Sequence, residues 1–468
     1  MALSSALFSG VSGLSTMGNA MQIIGDNIAN VNTVGFKASS FNFQDLLSHA
    51  TATMSGTAQV GRGTGMGDIS AVFSQGTFES TGNSTDLAIG GQGFFIVGDP
   101  ESAGVFYTRA GNFRFDKDGY MVNPSGYVVQ GWTLDPDTGE DEGSVTGIQL
   151  SSFTSPPQET DQIDVIVNLN SDGDDASSGS DTKLSEAWKG TTATPPIAEN
   201  AYEYGTILKV YDSLGSVHDL TLYFDKGATA STYEFIVTCN PSEDMSAPTL
   251  NTQTGLLAKG LITFDAGSGA ITDIAMDTSD GDGTWTAASL SDGYFVVDPV
   301  FITGNSMAIK LNLGASTADA GVSWTPGSLP STRFARVSTT TFQSANGYGA
   351  GDLQGTTVDG DGVITGSYSN GELLPLFRIA LAKFTNFSGL KKEGNNLFSE
   401  TRESGNAITN RSGTNGLGNI SPNSLEQSNV DMAAEFVKMI TTQRGFQANS
   451  KIITTTDQML SELINLKR

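Results

Sequence analysis

Cysteine is nearly absent from this 468-residue chain, with Cys239 the single example. No internal disulfide and no thiolate zinc cage can form. Histidine is almost as scarce, at two residues, His49 and His218. That leaves little for imidazole catalysis or metal ligation. Basic charge is short too: Lys+Arg 24 against Asp+Glu 50 leaves a net −26. Such a polyanion repels phosphate, so no nucleic acid and no anionic membrane surface is expected as a partner. No apolar run reaches the roughly 18 residues of a membrane span, and no membrane insertion is expected. The opening Met-Ala-Leu-Ser-Ser lacks the basic region of a cleaved secretory signal. G-x-S-x-G, G-x-x-x-x-G-K-[ST] and H-E-x-x-H are all missing. Asp359-Gly360-Asp361-Gly362 resembles the centre of a calcium loop, but Tyr368 stands where a bidentate Glu is required. A tight turn is the better reading. The glycine-alternating stretch 61–67 lacks the strand and helix of a dinucleotide fingerprint. No catalytic, cofactor-binding or metal residue is assigned, and no enzyme activity is expected.

What is abundant is glycine, at 56 residues against 14 prolines. Without a triplet period this is not collagen, and it points to many turns joining short strands. The charge is unevenly placed. Residues 1–90 carry a net −3 and residues 372–468 a net +2, while 91–371 carry −25. Near-neutral ends can pack against copies of themselves, and a strongly acidic middle stays in water.

Both ends carry heptad spacing. Leu3, Leu7, Gly10, Leu14, Met17, Met21, Ile24, Ile28 and Val31 fall at alternating steps of four and three, the signature of a helix with a narrow apolar seam. Near the other end, Ser428 to Asp431 read as a capping box opening a helix over 429–467. Met432, Phe436, Met439, Phe446, Ile453, Leu460 and Ile464 share one frame there, interrupted by Gln443, Ser450 and Asp457. A helix that merely covers a globular body shows a wider stripe. Narrow seams at both termini favour mutual pairing and packing between subunits.

Between the helices the pattern is strands and turns. Phe94 to Val97 form an apolar run. Hairpins are expected around Asp116–Gly119, Asp212–Gly215 and Asp265–Gly269. Tyr233, Phe235, Val237 and Cys239 alternate, which places the thiol on a buried face. Residues 171–182 and 276–284 read as acidic loops. The expected fold is mainly β with terminal α-helices, in a discontinuous multi-domain chain. Residues 1–31 and 429–468 form a helical inner core, 32–70 and 395–428 an extended linker region, 71–145 and 336–394 a β domain, and 146–335 an inserted outer β-rich part.

Several of these segments resemble a known family. Asp26-Asn27-Ile28-Ala29-Asn30-Val31-Asn32-Thr33-Val34-Gly35-Phe36-Lys37 looks like the N-terminal motif of the flagellar axial proteins of rod, hook and hook-associated type. Ser424 to Asp431, Phe446 to Ser450 and Thr454 to Leu460 resemble their C-terminal helix. Tyr368 to Gly371, Ile379 to Asn386 and Gly389 to Asn396 resemble the hook members, as the length and large insertion do. The resemblance implies a flexible tubular homopolymer that joins rod to filament, outside the cell, exported through the flagellar type III apparatus. It implies as partners other copies of the chain, the distal rod, the hook–filament junction proteins, the hook cap and the export apparatus, with no cofactor. Phe43-Gln44-Asp45-Leu46-Leu47 resembles the short motif, through Phe43 and Leu47, by which such subunits engage the export gate. Some hook proteins cross-link a cysteine to a neighbour's lysine; the apolar surroundings expected for Cys239 argue against that here. The rival class is an acidic, β-rich surface adhesin or coat protein, which explains the middle but not two terminal seams.

Overall fold

The structure is a computed structural model. It describes residues 2–465 except 54–55, 101, 103, 137, 151–152, 174, 178–182, 247–249, 280–283, 302–304 and 319–322. The α-helices among the described residues are α1 (Ala2–Ala29), α2 (Lys183–Ala187) and α3 (Met432–Asn465). The remaining regular structure is almost all β-strand, as the glycine-rich, low-charge composition suggests. The chain divides into two compact units. One comprises Met1–Phe153, Leu353–Tyr368 and Glu372–Arg468, and the other Thr154–Asp352 and Ser369–Gly371.

In the first unit the run Phe94–Gly98 is a central strand. It pairs antiparallel with Val105–Thr108, Val128–Leu134 and Leu381–Lys383. Both of its faces are covered, which is why it reads as unbroken apolar sequence. Phe95 and Val97 enter a core with Leu87, Ile89, Met121, Val129, Ile379 and Leu381. Phe94 and Ile96 enter a second, aromatic core with Tyr107, Phe384 and Phe398. The turn after Phe115 forms as expected: Asp116 Oδ1 accepts from the amides of Asp118 and Tyr120 at 2.9 and 2.8 Å.

The segment read as linker is structured. Ser39–Asp45 pairs antiparallel with Thr64–Ala71, and His49–Thr53 with Gly56–Val60 inside that hairpin. On the C-terminal side Asn419–Pro422 pairs with Leu87–Gly90, and Ser424–Glu426 with Phe78–Ser80. Serine, threonine and asparagine here serve strands rather than open chain. The start of α3 also differs from the expected capping box. Asp431, not Ser428, caps the helix, its Oδ1 accepting from Ala433 N at 2.9 Å and Ala434 N at 3.2 Å.

Among its described residues the second unit contains a short strand pair, Ala315–Thr317 with Trp324–Pro326, and two six-stranded sheets. One is an antiparallel meander of six strands in chain order, from Tyr204–Tyr211 to Trp285–Ala287. The other is built on Gln162–Asn170, parallel to Ile309–Asn312 and Thr332–Phe334 and antiparallel to Thr339–Ala345. This last pairing carries the inserted unit beyond the expected end at 335. Leu208, Leu222, Phe224, Phe235 and Val237 pack with Ile163, Val165, Val167 and Leu169. Cys239 lies in that core, and burial pushes its thiol pKa up. The turns at Asp212 and Asp265 form as expected, as does the one at Asp359, whose Oδ1 accepts from Val363 N at 2.8 Å. Of the acidic loops, 174, 178–182 and 280–283 lie outside the described residues, and 276–279 belong to the strand Ile271–Ser279.

Candidate assembly surface on the terminal helices

The heptad seams fold as two helices lying antiparallel. A Cβ at Gly10 would stand 3.0 Å from Ile453 Cγ1, and one at Gly13 2.6 Å from the Asn449 side chain. One at Gly445 would stand 3.1 Å from Met17 Cε. Farther along, Asn27 Nδ2 donates to Glu435 Oε2 at 3.4 Å. Close approach of the backbones is thus what the small residues permit.

The side chains that face inward are mostly small or polar. On α1 the buried line is Gly10, Gly13, Thr16, Ala20, Ile24 and Asn27. Thr16 Oγ1 donates to Ser12 O at 2.7 Å, and Asn27 Nδ2 donates to Ser39 O at 2.9 Å. On α3 the fully buried positions are Glu435, Thr442 and Thr456. Of the expected seam residues, Ile24 is fully enclosed by its own chain. Leu7, Leu14, Met17, Met21, Ile28, Met439, Ile453 and Leu460 are half-buried. Met432, Phe436, Phe446 and Ile464 are exposed. Leu3 lies in α1, with its side chain outside the described set.

Beside these stand exposed apolar residues outside the expected frame: Phe8 and Val11 on α1, and Val437, Ile440, Ile452 and Met459 on α3. A narrow contact of mostly small and polar residues, with Ile24, holds the pair together, and many of the large apolar side chains stay exposed. Exposed apolar residues this concentrated mark an interaction surface.

Phe43 lies in the strand Ser39–Asp45 opposite Met66, its ring edge-on to Phe41 at 5.4 Å. Leu47 follows that strand and is 89% exposed. Both side chains are thus open to solvent.

Two constellations escape sequence reading. Lys37 and Glu426 are both fully buried and meet at 2.6 Å, with Arg109 on the other carboxylate oxygen at 3.2 Å. Burial pushes the Lys37 pKa down, and the nearby carboxylate opposes that shift. Residues 389 positions apart carry no local signal of pairing. His218 sits between Asp212 at 3.3 Å and Glu243 at 2.9 Å. Its ring stacks on Phe301 at 4.0 Å. The side chain of His49 lies outside the described set.

A β body that carries paired terminal helices with open apolar faces defines a structural subunit with an exposed assembly surface. The comparisons with known proteins make the class specific. Residues 7–37 match the model of the flagella basal body rod protein, and 88–171 the D1 domain of the flagellar hook protein FlgE/F/G. Residues 168–348 match the FlaE D2 domain, and 421–466 the FlgEFG C-terminal region. The chain belongs to the flagellar hook protein family. It is 33% identical to the flagellar hook protein FlgE of Treponema pallidum, over 99% of each chain. It is 35% identical to that of Borreliella burgdorferi over 99% of each chain, and 31% to that of Escherichia coli over 98% of each. These relatives are structural proteins of the flagellar hook, not enzymes, and the adhesin reading is not supported.

Proposed function

We propose that this hook subunit builds its tube around the terminal helices, with the acidic middle outermost. The observation that carries this is the division of labour on α1 and α3. The intramolecular seam is built mainly on small and polar residues, with Ile24, Met17 and Ile453 beside them, while Phe436, Phe446 and Ile464 remain exposed. A seam with so little apolar area holds two long helices weakly. The helices therefore gain most of their order when neighbouring subunits cover the outward face, which couples folding to assembly. Leu3, Leu7, Leu14, Met17, Met21, Ile28 and the α3 residues Met432, Phe436, Met439, Phe446, Ile453, Leu460 and Ile464 supply that core. Ile24 acts from inside the helix pair.

Charge supports the layer order. A net −25 over residues 91–371 facing itself across a narrow lumen is electrostatically costly, whereas at the outside it is screened by water and salt. The inserted residues 146–335 accordingly form the outer part. The distal rod and the hook–filament junction proteins cap the polymer at its ends, and the hook cap and the type III export apparatus act during assembly. Export proceeds without a cleaved signal, with Phe43 and Leu47 as the gate motif.

The test is Leu460→Asp with Ile464→Asp. The expected product is a soluble chain with intact β structure that forms no tubes in electron micrographs. Tubes of normal appearance, or β domains that unfold with the helix, refute the reading.

A further inference from the structure

The cluster of Lys37, Arg109 and Glu426 lies where both helical arms join the β body. Lys37 follows α1 by eight residues, and Glu426 precedes α3 by six. Glu426 Oε1 accepts from Lys37 Nζ at 2.6 Å and from Gly76 N at 2.9 Å. Its Oε2 accepts from Arg109 Nη1 at 3.2 Å. Its backbone oxygen accepts from Gly35 N at 2.7 Å. The two cations reach onward into the body. Lys37 Nζ donates to Ser74 O at 2.8 Å, and Arg109 Nη2 donates to Gly91 O at 2.7 Å. The Arg109 guanidinium also lies over the Phe94 ring at 5.3 Å. One buried carboxylate thus ties the outgoing root of α1, the incoming root of α3 and the β body together. The backbones leave no slack: a Cβ at Gly76 would stand 2.0 Å from Gln427 O.

We propose that Glu426 is the positioning residue of a fixed joint: by holding Lys37 and Arg109 together it anchors both helix roots to the β body. The short stretches after α1 and before α3 are then held with the joint, so both helix roots keep a fixed place on the β body. A buried carboxylate with two cationic partners suits this role. Removing it strands two positive charges in a dry site, so the open state is favoured as soon as the carboxylate is lost. Because the partners come from opposite ends of the chain, the joint closes only when both ends are present. This inference deepens the reading of the termini as the assembly core.

The experiment uses the full-length soluble chain, so it does not depend on tube formation. Spin labels are placed by Asn32→Cys with Lys117→Cys, and separately by Met432→Cys with Lys117→Cys, both in a Cys239→Ala background. Distances are read by double electron–electron resonance. The wild-type joint is expected to give one narrow peak for each pair. Glu426→Gln should abolish the narrow peak in both. Lys37→Met leaves the Glu426–Arg109 pair in place and keeps the body folded even if Glu426→Gln does not. It should broaden the 32–117 pair and leave 432–117 narrow. That asymmetry is not expected of a group that only stabilises the fold. Narrow peaks for both pairs in both variants overturn the joint, as do broad peaks in the wild type. Loss of tubes in Leu460→Asp/Ile464→Asp with unchanged root distances leaves the joint standing and supports the assembly reading separately.

Discussion

Ile440 offers a direct measure of how much the outward face of α3 contributes. It is 50% exposed on the single chain and lies four residues after Phe436 on the same side of the helix. Full burial of an isoleucine is worth about 1.5–3 kcal/mol, so covering the exposed half gains about 1 kcal/mol. Ile440→Asp forfeits that gain and places a carboxylate in an apolar contact, which costs a few kcal/mol more. The combined penalty is about 3–5 kcal/mol per subunit. At about 1.4 kcal/mol per tenfold, the critical concentration for tube growth should rise about 100- to 4,000-fold. The single chain loses only the covered half of that side chain, so its stability should fall by about 1 kcal/mol. Sedimentation of polymer across a concentration series, with circular dichroism melts of the unpolymerised chain, measures both quantities. A critical concentration within a few-fold of wild type refutes the assignment of this face to subunit contacts. A large loss of single-chain stability shows that the face is covered by its own chain.

Three further outcomes are expected. Asp431→Ala removes the oxygen that caps two amides of α3 and should cost about 1 kcal/mol; hydrogen exchange at Ala433 and Ala434 should quicken in the assembled tube. Tyr107 is pushed up to about 12 from 10.0, by burial first and by Glu400 second. Between those values the folded chain keeps a proton that the unfolded chain releases, so stability falls as pH rises through that window. Absorbance titration should show a late tyrosine that Tyr107→Phe removes; a titration unchanged by that substitution contradicts the assignment. Phe43→Ala with Leu47→Ala alters two exposed side chains; it should stop secretion while the purified chain folds normally, and normal secretion contradicts the export reading.

The elements legible in the sequence are those specified locally. The turns at Asp116, Asp212, Asp265 and Asp359 carry their own acceptors for the turn amides, so four residues suffice to define each. The terminal helices are legible from spacing, because a heptad repeats over many turns. Which face turns inward is not. Gly13, Thr16 and Ala20 take the buried line because they let α3 approach, and large residues beside them, such as Phe8 and Val11, stay exposed on the single chain. Apolar periodicity marks a buried face without saying which molecule buries it. The hairpin over Ser39–Ala71 is masked by polar composition. The surroundings of Lys37 and His218 depend on strand pairing between distant segments, which no single window of sequence contains.

A three-dimensional density map of the assembled tube tests the central claim most directly. α1 and α3 are expected at the smallest radius, with Phe436, Ile440 and Phe446 against helices of neighbouring subunits and the acidic insertion at the outside. A map with that insertion lining the lumen, or with those three side chains facing solvent, contradicts it.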